Sequence, residues 1–101
     1  MDDLYSDALV ATLSYYTDEE LQQEIIPLAL SFSNKEENLT TKRIGAHILG
    51  HLASVIKDKV FYKKKVWPRV SSYYIDFNYP LRKVICLYSE VLLKLIIDLI
   101  K

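Results

Sequence analysis

The stretch from Thr41 to Ala53 constrains the fold of this chain most, because it predicts a helix that neighbours contact on more than one side. Its apolar residues follow the three-and-four spacing of a stripe about a third of the circumference wide. They are Ile44, Ile48, Leu49, Leu52, Val55 and Ile56. Gly45 and Gly50 leave room for a second backbone to lie close. Each glycine costs a helix about 1 kcal/mol relative to alanine, so a pair of them indicates a stack of helix pairs.

Composition predicts one small all-helical domain. The chain has 101 residues, half of them apolar and only two of them glycine, which argues against disorder and against a turn-rich β fold. The single cysteine, Cys86, lies in an apolar helical pattern, so we expect a buried structural cysteine and no disulfide framework. No apolar run approaches the roughly 18 residues of a membrane span, and Met1-Asp2-Asp3 does not open a signal peptide. We expect a soluble protein of the cytoplasm, with the nucleus as an alternative.

The zero net charge conceals an asymmetry along the chain. Residues 1–38 contain nine acids and one base, whereas residues 39–101 contain four acids and twelve bases. The two parts therefore carry about −8 and +8, and we expect the folded protein to be electrically polarised.

Local signals predict about five helices. A first helix is expected from Asp3 to about Tyr15, and Thr17-Asp18-Glu19-Glu20 is a capping box that begins the second. Pro27 and Pro68 are expected to bend the second and fourth helices, and Asp58 is a candidate cap for the fourth. The last helix is predicted from Leu81 to the chain end. It is apolar almost all round, so we expect another copy or further repeats to cover it.

An internal repeat relates residues 25–53 to residues 66–92. Ile25-Ile26-Pro27 matches Val66-Trp67-Pro68, and Arg43 matches Arg82 after a turn that is two residues shorter. A period near 40 residues with two helices in each unit is typical of an α-solenoid. The same spacing of Pro68, Asp76 and Leu81-Arg82 resembles the HEAT-repeat pattern. Pro27 with Lys42-Arg43 resembles it in the earlier unit, where Lys35 replaces the aspartate.

A narrower resemblance concerns the phosphatase subunits built from HEAT repeats. The runs from Glu20 to Leu28, from Lys42 to Leu52 and from Lys64 to Pro68 are similar to scaffold and regulatory subunits of protein phosphatases 2A and 4. The regulatory subunit 4 type of phosphatase 4 is the most similar of these. This resemblance implies a right-handed, armadillo-like solenoid that binds a catalytic subunit and other proteins through its turns and second-helix ridge.

The domain expected from this resemblance is a single one that spans residues 1–101. It comprises an N-terminal half-unit (1–16), a first helix pair (17–57) and a second helix pair (58–101), as a fragment of a longer solenoid. The expected partner-facing residues lie on the second-helix ridge, in the turns and in the basic cluster. They are Lys42, His47, His51, Lys63, Lys64, Lys65, Tyr79, Lys83 and Glu90. Asp76, Arg43 and Arg82 are expected to form a structural ladder between units.

The side chains that could bind a metal or act as a nucleophile favour a binding protein over an enzyme. His47 and His51 have a spacing that suits zinc, but no glutamate follows the first histidine and no third ligand is near, so we expect packed histidines. Cys86 has no neighbouring base, and the chain contains no nucleophile elbow or phosphate-binding glycine loop. We therefore expect no enzyme activity, no cofactor and no metal.

A basic cluster leaves one alternative function open. Lys57, Lys59, Lys63–Lys65 and Arg69 alternate with Phe61, Tyr62 and Trp67. Such a surface could bind nucleic acid by charge and stacking, meet an acidic protein surface, or be a solvated helix face with its aromatic side chains inside. The preferred function is a non-catalytic protein-binding scaffold, with nucleic-acid binding as the alternative.

Overall fold

The fold is built from helices joined by short turns. The computed structural model describes residue 8 and residues 11–34, 37–76 and 78–100, and contains no strand in these ranges. Most of the expected first helix and N-terminal half-unit (residues 1–16) lies outside the described residues. The helical elements are α1 (Asp18–Glu20), a π-helical turn (Leu21–Ile25), α2 (Ile26–Ser31), α3 (Leu39–Val55), α4 (Lys59–Lys65), α5 (Trp67–Ser72), a 3-10 turn (Tyr73–Ile75), α6 (Tyr79–Cys86) and α7 (Ser89–Ile100).

Helix α3 is the centre of the packing, as the glycine pattern predicts. It contacts α2, α5, α6 and α7, and most of its residues from 45 to 53 are buried. A Cβ atom at Gly45 would lie 2.8 Å from Cβ of Phe32 and 3.1 Å from the carbonyl oxygen of Ala29. The absence of a side chain at Gly45 therefore lets the backbone of α2 lie directly against α3.

The predicted caps are present, and the helices that contain Pro27 and Pro68 are interrupted at equivalent places. The Thr17 hydroxyl accepts from the Glu20 amide at 3.2 Å, the Glu20 carboxylate accepts from the Thr17 amide at 3.0 Å, and Asp58 accepts from the Phe61 amide at 3.0 Å. Thr17 and Asp58 are 41 residues apart, as are Pro27 and Pro68. Each proline is the second residue of a helix that follows an interruption, the π-helical turn before α2 and Val66 before α5. A proline lacks the amide that would continue the helical hydrogen bonds.

The last predicted helix is two helices, so its prediction as one continuous element is wrong. The amides of Leu87 and Tyr88 each donate to a carbonyl three residues back, at 3.1 Å, rather than four. This tightened turn coincides with the burial of the Tyr88 ring against α3. The prediction that Cys86 is buried is also wrong, since Cys86 is exposed. The turn directs Ile85 and Tyr88 inward and leaves Cys86 at the surface.

The dimensions are those of a compact domain. The radius of gyration is 12.6 Å and the principal extents are 33 × 27 × 23 Å, against about 13 Å expected for a globular chain of this length. The all-α class is confirmed for the described residues. From Asp18 onward, seven α-helical segments take the place of four predicted helices, because the interruptions before Pro27 and Pro68 and the turn at Leu87 and Tyr88 divide three of them.

Candidate interaction surface

A groove lies between α7 on one side and the end of α3 with the start of α4 on the other. Its volume is about 460 Å³. Buried Ala53 and Leu95 provide apolar surface in it, and charged side chains of both signs border it. The lining residues are Ala53, Ser54, Lys59, Glu90, Val91, Lys94, Leu95 and Asp98. An apolar interior with a few charged groups at its edge is typical of a binding groove.

Lys59 is held in place at the wall of this groove. Its amine donates to the carbonyl oxygen of Ala53 at 2.7 Å, one of the carbonyls that the end of α3 leaves without an amide partner. Burial lowers the pKa of Lys59, and the nearby Asp18 carboxylate acts in the opposite direction. The lysine therefore caps α3 and presents a fixed donor at the groove.

Exposed apolar side chains are concentrated around α7. Four of the ten large hydrophobic side chains that are exposed in the described part of the chain lie within eleven residues. They are Leu87, Val91, Leu93 and Ile97, with exposed fractions of 65, 38, 59 and 51%. Such a concentration marks an interaction site more often than scattered apolar residues do. We call these four residues, together with Glu90, Lys94 and Asp98, the α7 surface.

The two histidines belong to a packed aromatic cluster. Nδ1 of His47 lies 2.5 Å from the Tyr88 hydroxyl oxygen, and the Tyr88 ring is edge-on to His47 and His51, with centroids 5.7 and 4.6 Å apart. His47 is only 6% exposed, so its expected place on the partner-facing ridge is wrong. Among the described residues, no group of three or more His, Cys, Asp or Glu side chains is arranged to hold a metal ion.

The other predicted partner residues outside the basic cluster lie on three different helices, α3, α6 and α7. Lys42 and His51 are half-buried, while Tyr79, Lys83 and Glu90 are exposed. Of these five, only Glu90 lines the groove. The opposite wall, with Lys59 and the end of α3, was not foreseen. The one signal in the sequence that pointed to a groove was that α7 is apolar almost all round, so that a second element had to pack against it.

The expected ladder differs from the contacts at the turns. Arg82 Nη1 donates to the main-chain carbonyl of Asp76, and the Asp76 carboxylate accepts from the Asn78 amide at 2.9 Å. Both contacts are local to the turn before α6. Arg43 is half-buried, and its part in a ladder stays a prediction.

A different aspartate links the two predicted helix pairs. The Asp18 carboxylate oxygens accept from the backbone amides of Lys57 and Asp58 at 2.8 and 2.9 Å. Asp18 in the first turn of α1 therefore ties that end of the first pair to the turn before α4. Sequence reasoning placed Asp18 only in a capping box, because neither amide donor has a side-chain signature.

Most of the basic cluster is exposed, but none of its three aromatic residues is. Lys63, Lys64, Lys65 and Arg69 are exposed, and Lys65 and Arg69 border a shallow hollow of about 320 Å³. Tyr62 is buried, and its hydroxyl donates to the Leu49 carbonyl at 2.5 Å. Burial raises the pKa of Tyr62. Phe61 and Trp67 are half-buried, so the cluster offers charge with little aromatic surface for stacking.

Comparisons with known proteins do not place the chain in a family. A scan against protein-family models finds no match, and searches of curated proteins and of solved structures find none either. No helix within the described residues is long and apolar enough to cross a membrane.

Proposed function

We propose that this chain is a non-catalytic protein-binding module that recruits its partner through the α7 surface and the adjacent groove. The observation that carries the proposal is the exposure of Leu87, Val91, Leu93 and Ile97 beside a charged rim. A chain of this size gains by burying such side chains, at about 25 cal/mol for each Å² of apolar surface. A protein partner supplies the cover that the chain itself does not.

The proposal includes a solenoid arrangement of the helices. A right-handed solenoid of two HEAT-like helix pairs is supported by the equal spacing of the two caps and of the two prolines. It is also supported by the contacts of α3, which meets α2 at Gly45 and the turn between α6 and α7 at Gly50. In such a stack the last helix pair has an open face on which another repeat or another protein packs. The α7 surface lies on that pair.

The partner class comes from the resemblance to phosphatase subunits. We infer a scaffold or regulatory role in which a Ser/Thr phosphatase catalytic subunit is one of the proteins bound. The test is retention of a purified catalytic subunit by the immobilised full chain. The wild type is expected to retain it, and a Leu93→Glu/Ile97→Glu variant is expected to lose it because charges would be placed in the apolar contact.

A matched control makes this test specific. Ile75 is also an exposed apolar residue, but it lies in the 3-10 turn and belongs neither to the α7 surface nor to the lining of the groove, so Ile75→Glu is expected to leave retention unchanged. Equal retention by the α7 variant would remove the α7 surface from the proposal. No retention by the wild type would remove the phosphatase as partner.

Nucleic-acid binding is the second candidate, favoured by the exposure of Lys63, Lys64, Lys65 and Arg69. Because Tyr62 is buried, such binding would rest on charge, and its affinity would fall steeply with salt. Fluorescence anisotropy with single-stranded and duplex oligonucleotides at two salt concentrations tests it. Tight binding that a Lys63→Glu/Lys64→Glu variant loses would favour this candidate over the scaffold.

A further inference from the structure

A shallow hollow lies at the break between α4 and α5, and its described lining residues are all different from those of the groove beside α7. Its volume of about 320 Å³ is at the lower end of the range for small-ligand sites. Lys65 is the last residue of α4 and Arg69 is the third of α5, and both line the hollow together with Ser72. Leu30 of α2 and Pro68 provide apolar surface. We call this feature the α4–α5 hollow.

The two cations of the α4–α5 hollow have no acidic partner among the described residues. The described lining contains no aspartate or glutamate, and neither Lys65 nor Arg69 forms an ion pair with an acid elsewhere in that part of the chain. The Ser72 hydroxyl donates to the Arg69 carbonyl at 2.6 Å, so the ammonium and guanidinium groups are the donors available to a ligand. The hollow therefore suits a doubly negative group.

We propose that the α4–α5 hollow binds a phosphorylated serine or threonine side chain in a peptide segment of a partner protein. Such a group carries about −1.5 to −2 charges at pH 7 and three acceptor oxygens, so it can neutralise both lining cations, whereas a carboxylate neutralises only one. The Arg69 guanidinium can donate to two phosphate oxygens at once, while Lys65 acts as a point charge. The inference goes beyond the proposed function, because it adds a binding surface in which α7 takes no part.

The apolar part of the hollow favours a peptide over a nucleic acid. Leu30 is half-buried and packs against the core, and Pro68 is exposed, so they offer a contact to an apolar side chain beside the phosphorylated residue. A nucleic acid brings a row of phosphates and bases that stack on aromatic rings. Here two lining cations match a single phosphate, and the nearby Tyr62 is buried while Phe61 and Trp67 are half-buried. A phosphopeptide therefore fits both the charge and the apolar surface.

A chemical-shift titration of the isotope-labelled full chain at physiological salt tests the proposal. The probe is a short synthetic peptide in which leucines flank one phosphoserine. The backbone amides of Lys65 and Arg69 are expected to shift with a Kd below about 1 mM, while those of Leu93 and Ile97 on α7 stay constant. The same peptide with serine or glutamate in place of phosphoserine is expected to bind at least about tenfold more weakly, because it brings fewer charges to the two cations.

Two double variants that remove the same number of charges separate the hollow from the general basic surface. Lys65→Gln/Arg69→Gln removes the lining cations and is expected to weaken phosphopeptide binding at least about tenfold. Lys63→Gln/Lys64→Gln removes two exposed charges that do not line the hollow, and it is expected to weaken binding by about threefold or less, because salt screens charges that make no direct contact. Far-ultraviolet circular dichroism checks that both variants keep their helices.

A phosphopeptide that causes no shift at Lys65 and Arg69 up to about 5 mM overturns the proposal, and so does binding that is independent of the phosphate. Equal losses in the two double variants would overturn it as well, because they would show a diffuse attraction instead of a site. Inorganic phosphate that binds as tightly as the phosphopeptide would refute the peptide contact. Labelled single-stranded or duplex oligonucleotides that bind more tightly than the phosphopeptide would assign the hollow to nucleic acid instead.

Discussion

Tyr88 occupies the space that a side chain at position 50 would need. A Cβ atom at Gly50 would lie 2.5 Å from Cγ of the Tyr88 ring, well inside van der Waals contact. The ring also contacts His47 and His51. Gly50 is therefore selected by packing, at the expense of the helix propensity that alanine would bring.

Gly50→Ala is expected to destabilise the fold by about 1–2 kcal/mol, because the close approach of the Tyr88 ring places the cost of overpacking in the upper part of the usual range of about 1–3 kcal/mol and the gain in helix propensity returns about 1 kcal/mol. Urea unfolding followed by circular dichroism measures the change. Ser54→Ala lies on the same helix at an exposed position and serves as the control, with a change within about 0.5 kcal/mol. A Gly50→Ala variant as stable as the wild type would mean that the ring of Tyr88 does not pack there.

Tyr62→Phe is expected to cost about 1 kcal/mol, because the buried hydroxyl bonded to the Leu49 carbonyl is lost. Burial raises the pKa of Tyr62. The stabilisation that its neutral hydroxyl provides is therefore complete below the pKa of about 10 in the unfolded chain, and it is lost as the pH rises above that value. The cost of the substitution should therefore shrink in urea titrations above about pH 10.

The exposed Tyr79 provides the control for Tyr62, since Tyr79→Phe should change the free energy of unfolding by less than about 0.5 kcal/mol. Part of the alkaline loss should persist in Tyr62→Phe, because burial raises the pKa of Tyr73 as well. A cost for Tyr62→Phe that grows above pH 10 would refute the buried neutral hydroxyl.

At the residue scale, the sequence predicts that a neighbouring group lies close to each of the two glycines, but it does not identify that group. The approach of α2 to Gly45 matches the expectation of a neighbouring backbone. At Gly50 the neighbour is a side chain 38 positions later, and its place depends on the turn at Leu87 and Tyr88. That turn has neither glycine nor proline and leaves no local signal. The sequence analysis placed His47 on the partner-facing ridge for the same reason, because its contact with Tyr88 has no local signal.

At the scale of helices, the signals with a local cause were predictable. The capping box at Thr17, the cap at Asp58 and the interruptions at Pro27 and Pro68 each depend on residues within four positions of one another. Contacts between helices were harder to predict from the sequence. Asp18 binds two backbone amides about 40 residues away, and amides have no side-chain pattern by which a sequence could reveal them.

Asp18→Ala is expected to destabilise the protein by about 1–3 kcal/mol, because the amides of Lys57 and Asp58 lose their acceptor. Glu19→Ala removes an exposed acid from the same first turn of α1 without touching that link. Comparing the two variants in urea unfolding isolates the link from the helix dipole effect. Asp18→Asn, which keeps one acceptor oxygen, should recover part of the loss. Equal costs for Asp18→Ala and Glu19→Ala would show that the link contributes nothing.

At the scale of the whole molecule, α3 is surrounded while α7 is covered on one side. The apolar character of α7 all round predicted an uncovered face, and the structure locates it at Leu93 and Ile97 on one edge of the helix and Val91 on the other. The groove could not be foreseen, because its second wall comes from the end of α3 and from Lys59. Its position depends on how α4 packs against α7.

Methyl chemical shifts of the full chain, recorded over a dilution series and then on addition of purified phosphatase catalytic subunit, test the α7 surface most directly. The methyl groups of Val91, Leu93 and Ile97 should shift in at least one of the two titrations, while those of the exposed Ile75 stay constant. If the methyl groups of α7 stay constant in both titrations, α7 is not a binding surface.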